Sequence, residues 1–339
     1  MAGPFRYVTP VAHEAATGRI AQVYAQLASD FGMARMPVFM TLSPAEDVLA
    51  GTWAATRESL LAGQAPRTGK EIVALAVSLA NGCPFCVDAH TTLLHATGDH
   101  RLAESIVSGR VPDDPEHAAL LSWAMATRGP AVGAPPVPAA LAPEYVGTAL
   151  VFHFINRIAS ALLTDNLLPA NLQKSRLVRS LGGRAMSRVA RRRLPEGASL
   201  PLLADLPAGP VPAWAAGAPI GTAFAVLRAA ATAGGELLSE RARAAVLDAV
   251  AAWDGEHPPM GGGQLSEPIA GLPAGDRPAA RLALLTALAP YRVTDTDVST
   301  WRGASGTDAE LVRLVAFGAI AATERAESSI TAALRPVSR

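Results

Sequence analysis

The sequence predicts an all-α fold from three features. Half of the 339 residues are apolar with alanine dominant, aromatics make up only 5%, and β-branched alternation is hard to find. Apolar residues recur at helical steps. Ile20, Val23, Tyr24, Leu27, Ala28 and Phe31 form one buried face, which Gly32 ends. From Glu71 to Ala80 apolar residues fall at Ile72, Val73, Leu75, Ala76, Val77 and Leu79, so this helix is apolar nearly all round and belongs inside the domain. Asn81-Gly82 supplies its stop, because glycine takes the left-handed conformation without penalty. Pro84 suits the first position of the next helix, with Cys83 as its N-cap and Cys86 in its first turn. Further helices are expected over His117–Thr127 and Tyr145–Leu163, and no strand anywhere.

Formal net charge is zero and only 17% of residues are charged, which gives no argument for nucleic acid or an acidic partner. Met1-Ala-Gly-Pro-Phe-Arg has no apolar segment behind it, so no secretory signal is read. No uninterrupted apolar run approaches the roughly 20 residues that span a bilayer. The nearest, Ile220–Gly235, is interrupted by Arg228. The expectation is a cytoplasmic protein that engages neither nucleic acid nor membrane.

Composition shifts between Asn171 and Pro219. Arg176, Arg179, Arg184, Arg188 and Arg191–Arg193 form a basic segment, followed by Leu206-Pro-Ala-Gly-Pro-Val-Pro. This predicts a domain at 1–170, a connector at 171–219 and a second domain at 220–339. The two domains read as a tandem repeat. Leu120-Leu-Ser-Trp-Ala-Met-Ala126 is similar to Leu284-Leu-Thr-Ala-Leu-Ala-Pro290, and Glu144–Val151 to Glu310–Phe317. In the same phase Ser239–Val250 answers the Glu71 helix, and Trp253–Gly263 stands where the first copy has its cysteines. The second copy has none, so it is expected to be degenerate.

The two cysteines of the chain, Cys83 and Cys86, lie in Asn81-Gly-Cys-Pro-Phe-Cys-Val-Asp-Ala-His90. A close pair in the cytoplasm points to redox or metal chemistry more than to a structural staple. Unpaired N–H groups and the helix dipole at this N-terminus favour a thiolate. His90 lies four residues after Cys86, on the same helix face. If the two helices fold back about Gly82, Glu71 is eleven residues from the turn and His90 eight. At about 1.5 Å rise per residue the two differ by only about one turn. Glu71 can then reach His90, completing a relay from a cysteine thiol to His90 to Glu71. A glutamate buried on an apolar helix is expected to have a raised pKa.

Glu71, the twelve-residue step to Cys83, the Cys-x-x-Cys and His90 together resemble the signature of the alkyl hydroperoxidase D branch of the carboxymuconolactone decarboxylase-like proteins. The resemblance covers the helices round the motif and, more weakly, the later helix ending Phe154-Ile-Asn-Arg-Ile158. It implies a helical fold, homo-oligomers, and a thiol-dependent peroxidase or disulfide reductase with no prosthetic group. Cys83 and Cys86 would be the redox pair, with His90 and Glu71 as proton relay. A small hydroperoxide or disulfide would be the substrate, and a dithiol the reductant. Phe85 is a departure, because peroxidase members carry a second histidine between the cysteines. Proximity to His90 favours Cys86 as the attacking sulfur and the N-cap position favours Cys83; the reading adopted has Cys86 attacking and Cys83 resolving.

Other readings are a decarboxylase of the same superfamily, which needs no cysteine, and a non-enzymatic scaffold or metal-binding protein. In the latter Cys83, Cys86 and His90 would hold zinc, with Glu71 or His95 as fourth ligand. His95, His100 and His117 read as surface or loop histidines, His153 as a core histidine, and Asp88 as exposed. Trp123, Trp253 and Trp301 read as packing residues, and Glu256 and His257 as part of a loop.

Overall fold

The computed structural model describes residues 3–165, 186, 187, 190, 192–259, 261, 263–303 and 306–334. Among them there is no β-strand, only two isolated bridges, so the all-helical expectation is met. Among the described residues, seven α-helices of eight residues or more precede the Arg-rich segment: α1 (Gly18–Gln26), α2 (Glu46–Thr56), α3 (Arg67–Ala80), α4 (Pro84–Thr97), α5 (His100–Val107), α6 (Pro115–Ala126) and α7 (Ala142–Leu162). After it come α8 (Pro219–Ala233), α9 (Glu240–Ala252), α10 (Arg277–Leu288), α11 (Asp295–Arg302) and α12 (Asp308–Leu334). Arg176, Arg179, Arg184, Arg188 and Arg191 lie outside the described residues.

The expected helices differ mainly at their starts. The first apolar stripe becomes α1 plus a wider turn over Leu27–Phe31, and Gly32 ends it at φ 76°. Helix α3 starts at Arg67, a full turn before Glu71, which puts an arginine on the same helix face four residues earlier.

Helix α7 is the axis of the packing. It is buried on nearly every side and lies against α3, α8 and α12. By length and composition it is nearer to a membrane span than Ile220–Gly235, yet its apolar window is entirely buried within the fold. It also carries Glu144, which pairs with Lys70 of α3 at 2.7 Å. Lys70 Nζ donates a second bond to the Ala62 carbonyl at 2.6 Å, and Glu144 accepts from the backbone N–H groups of Gln64 and Ala65. Burial lowers the Lys70 pKa, and Glu144 opposes that shift. The pair fixes the rotation of α3, so that the neighbouring residue, Glu71, faces α4.

Beyond the Arg-rich segment the chain is held against the first helices. Arg57, itself buried, pairs with Asp30 at 2.6 Å and Glu58 at 2.8 Å and donates to the Pro195 carbonyl. Glu58 accepts from the Gly197 and Ser199 N–H groups and from the Ser199 hydroxyl. Arg19 donates to the carbonyls of Leu202 and Ala204.

Helices α2 and α8 approach backbone to backbone at Gly51. A Cβ placed there would lie 2.8 Å from Leu227 Cα, closer than two carbons can pack. Gly51→Ala is therefore expected to push the two helices apart and destabilise the protein by about 1–3 kcal/mol. Urea unfolding checks this, as a lower midpoint at unchanged slope.

Candidate functional site

The site is built at the turn between α3 and α4. Asn81 caps α3, and Gly82 reverses the chain at φ 63°. Cys83 is the N-cap of α4: its sulfur accepts from the Cys86 N–H at 3.4 Å, and Pro84 follows at N1. This local geometry sets the two sulfurs side by side, and they are joined as a disulfide with Cα atoms 5.4 Å apart. Both residues are buried, Cys83 with 1% and Cys86 with 3% of its surface exposed.

His90 stands one turn beyond Cys86. Its Nδ1 is 2.7 Å from Glu71 Oε2, across the two helices, as the count of residues from Gly82 predicts. Phe152 of α7 meets the imidazole edge-on, with centroids 4.3 Å apart, and holds the ring plane. Glu71 is 0% exposed. Its other oxygen, Oε1, accepts from Arg67 Nε at 2.7 Å and is 2.6 Å from Arg67 Nη2.

The expected raised pKa of Glu71 is overturned. Burial does push the carboxyl up, but Arg67 and His90 together more than offset it and hold it below its ordinary value of 4.5. Arg67 is the reason, and the sequence analysis did not single it out. Its signal was the Arg67–Glu71 spacing of four, hidden because the helix was expected to begin at Glu71.

Cys86 and His90 open on one cavity of about 60 Å³. Its walls come from distant parts of the chain: Phe31 and Met36 from the first segments, Leu60 after α2, Phe85 and Leu93 from α4, and Phe152 from α7. Thr56 is the one other polar side chain on this wall. Cys83 is not part of it. The cavity is therefore an apolar pocket with one sulfur and one imidazole at its surface.

His153 is a core histidine, as expected. Asn81 Nδ2 lies 3.2 Å from its Nδ1, and Thr127 Oγ1 2.9 Å from its Nε2. Burial first, then Arg157, Arg128 and Arg325, lower its pKa well below 6.5. Arg157 is fully enclosed and donates to the carbonyls of Ala287 and His153. Burial first, then Arg128 and Arg325, lower its pKa to about 9. Neither residue lines the cavity that Cys86 opens on.

Two expectations of exposure fail on α4. Asp88 and His95 are buried, because this helix is packed on more faces than its sequence suggests. His95 Nε2 lies 2.9 Å from Glu104, and its Nδ1 2.6 Å from His100. Among the described residues no three His, Cys, Asp or Glu side chains are grouped to hold a metal ion.

The second half also touches the motif. His257 donates from Nε2 to the Ala80 carbonyl at 3.1 Å, and its ring lies over Gly82, where an added Cβ would be 3.4 Å from Cε1. Its Nδ1 accepts from Arg128 at 3.2 Å. Trp253 is packed among Arg128, Arg157 and Arg325, whose guanidinium carbons lie 5.1, 5.8 and 5.2 Å from its centroid.

A profile of the carboxymuconolactone decarboxylase family matches residues 48–104, a stretch that takes in Arg67, Glu71, Cys83, Cys86 and His90. An alkyl hydroperoxide reductase of Mycobacterium tuberculosis is 41% identical over 330 residues, which cover 96% of this chain and 95% of that protein. No solved structure matches the chain.

The neutral state of His153 gives a pH prediction. Below 6.5 the unfolded chain binds a proton that the folded His153 refuses, so stability falls as pH falls. Between pH 6 and pH 5 the wild type should lose up to about 1.4 kcal/mol per pH unit more than His153→Gln. Urea unfolding of both proteins across that range measures the difference.

Proposed function

The chain belongs to the carboxymuconolactone decarboxylase family, and from that premise we propose that it is a thiol-dependent peroxidase cycling through Cys83 and Cys86. The observation that carries the reading is the shared cavity. Cys86 and His90 face an apolar space, with Cys83 bonded to Cys86 and Glu71 behind His90. The name of the Mycobacterium tuberculosis relative supports the same reaction.

In this reading His90 accepts the Cys86 proton, and the thiolate attacks the outer oxygen of a hydroperoxide. The O–O bond breaks, the alcohol leaves with a proton returned by His90, and Cys86 becomes a sulfenic acid. The Cys83 thiol attacks that sulfur, water departs, and the disulfide forms. A dithiol reductant, oxidised to its own disulfide, restores both thiols. Cys86 is the attacking sulfur because it, and not Cys83, borders the cavity. Phe85 makes the pocket apolar where peroxidase relatives carry a second histidine, which favours an organic hydroperoxide. The cavity is smaller than the about 150 Å³ that holds benzene, so a bulky substrate requires a side chain such as the unbranched Met36 to move.

The second half is proposed to be a degenerate copy. The repeated segments fall on α6 and α7 in the first half and on α10 and α12 in the second, while the described residues 253–259, within the segment that answers the cysteine helix, form a loop. The protein is further proposed to be cytoplasmic and to assemble as homo-oligomers. The family match also favours a second reading, decarboxylation of a lactone acid. A Cys83→Ser/Cys86→Ser protein that keeps full activity on such a substrate would support it.

The test is intact mass and thiol count of reduced, chelator-treated protein after one equivalent of tert-butyl hydroperoxide. Wild type should lose both thiols and the mass of two hydrogens, Cys83→Ser should stop at a sulfenic acid, and Cys86→Ser should keep its thiol. Two unreacted thiols in wild type would overturn the peroxidase. Glu71→Gln should fold and oxidise about a hundredfold more slowly, since it weakens the general base; stopped-flow rates check this.

A further inference from the structure

We propose that Arg67 is a positioning residue for the thiol chemistry, which holds Glu71 as a hydrogen-bond acceptor and thereby fixes the tautomer of His90. The proposal rests on the peroxidase reading for its rate effect, but not for its structural content. It begins with the two oxygens of Glu71, each claimed by one partner. Oε1 takes two nitrogens of the Arg67 fork, at 2.7 and 2.6 Å, and Oε2 takes His90 Nδ1 at 2.7 Å. An ionised carboxylate can only accept, so Nδ1 carries the proton and donates it. The other ring nitrogen, Nε2, then has a free lone pair with which to take a thiol proton.

A protonated Glu71 would reverse this. Its hydroxyl would donate to Nδ1, the imidazole proton would move to Nε2, and Nε2 could no longer act as base. Which arrangement holds depends on whether a fully buried carboxyl stays charged. Burial alone favours the neutral acid, and the charge of Arg67 is the largest single influence opposing it, with His90 acting in the same direction.

No other charged group is placed to substitute for Arg67. On α3, Lys70 is committed to Glu144 of α7 and to the Ala62 carbonyl. On α7, His153 is engaged with Asn81 and Thr127, and Arg157 with two carbonyls. Arg57 and Glu58 are tied to each other, Asp30 and the 195–199 segment. On α4, His95 pairs with Glu104, and Asp88 is not among the groups that act on Glu71. Glu116 and His117 sit at the outer end of α6, bonded through their N–H groups to Asp114.

Arg67 is itself held by packing. Its guanidinium carbon lies 5.9 Å from the Phe31 centroid, and Phe31 is also a wall of the Cys86 cavity. The arginine thus ties the cavity wall to the acid–base pair. Its consequence is that Glu71 never carries the transferred proton. The exchange stops at His90, and Glu71 acts as a fixed anion behind it.

The experiment uses full-length reduced protein and two readouts. Nitrogen-15 spectra of the His90 ring at neutral pH report which nitrogen carries the proton. The rate of disulfide formation with tert-butyl hydroperoxide, followed against pH, reports the acid limb. Wild type should carry the proton on Nδ1. In Arg67→Met a substantial fraction of molecules should carry it on Nε2, and the midpoint of the acid limb should rise by at least about one pH unit. Arg67→Lys should restore most of the wild-type behaviour. Arg67→Gln, which keeps a donor but no charge, should follow the methionine variant and serves if that variant does not fold. A wild-type proton on Nε2, or variants with both tautomer and midpoint unchanged, would overturn the proposal. If wild type forms no disulfide with the hydroperoxide, the peroxidase reading fails, while the tautomer still decides the role of Arg67.

Discussion

The buried carboxylate of Glu71 is the constraint on which the site depends. It is a full charge with no exposed surface, and such a group persists only when its lone pairs are taken up. Arg67 from its own helix and His90 from the next meet that demand. The same contacts therefore join α3 to α4 and commit one ring nitrogen of His90 to the carboxylate. Phe152 closes the ring from α7. A change in Glu71 would alter the helix pair and the acid–base group together.

The rest of the fold holds that unit in place. Lys70 and Glu144 lock α3 against α7 one residue away from Glu71, about 100° round the helix. From the second half, the loop after α9 brings His257 onto the Ala80 carbonyl and Gly82, the turn that precedes Cys83. That half carries no cysteine but does contact the turn of the motif. Three arginines round Trp253 make the junction, stacked on the indole and bonded mainly to carbonyls.

Much of this was legible in the sequence, where local chemistry decides it. Asn-Gly before Cys-Pro is a helix stop followed by a helix start, and Cys83 occupies the N-cap as that order requires. Residue counts on either side of Gly82 were enough to bring Glu71 to His90. What was not legible comes from tertiary contact. The cavity walls Phe31, Met36, Leu60 and Phe152 share no spacing in the chain. The Glu71 pKa went the other way because one extra helical turn supplied Arg67. Asp88 and His95 looked exposed because a single helix pattern does not reveal how many neighbours the helix has.

The central claim is that Cys86, in this pocket and beside this histidine, is a thiol made reactive by its surroundings. The most direct measurement is the second-order rate constant of reduced protein with tert-butyl hydroperoxide, compared with that of free dithiothreitol at the same pH. A base positioned as His90 is should make the protein thiol faster by at least about a hundredfold. A rate no greater than that of the free thiol would contradict the account.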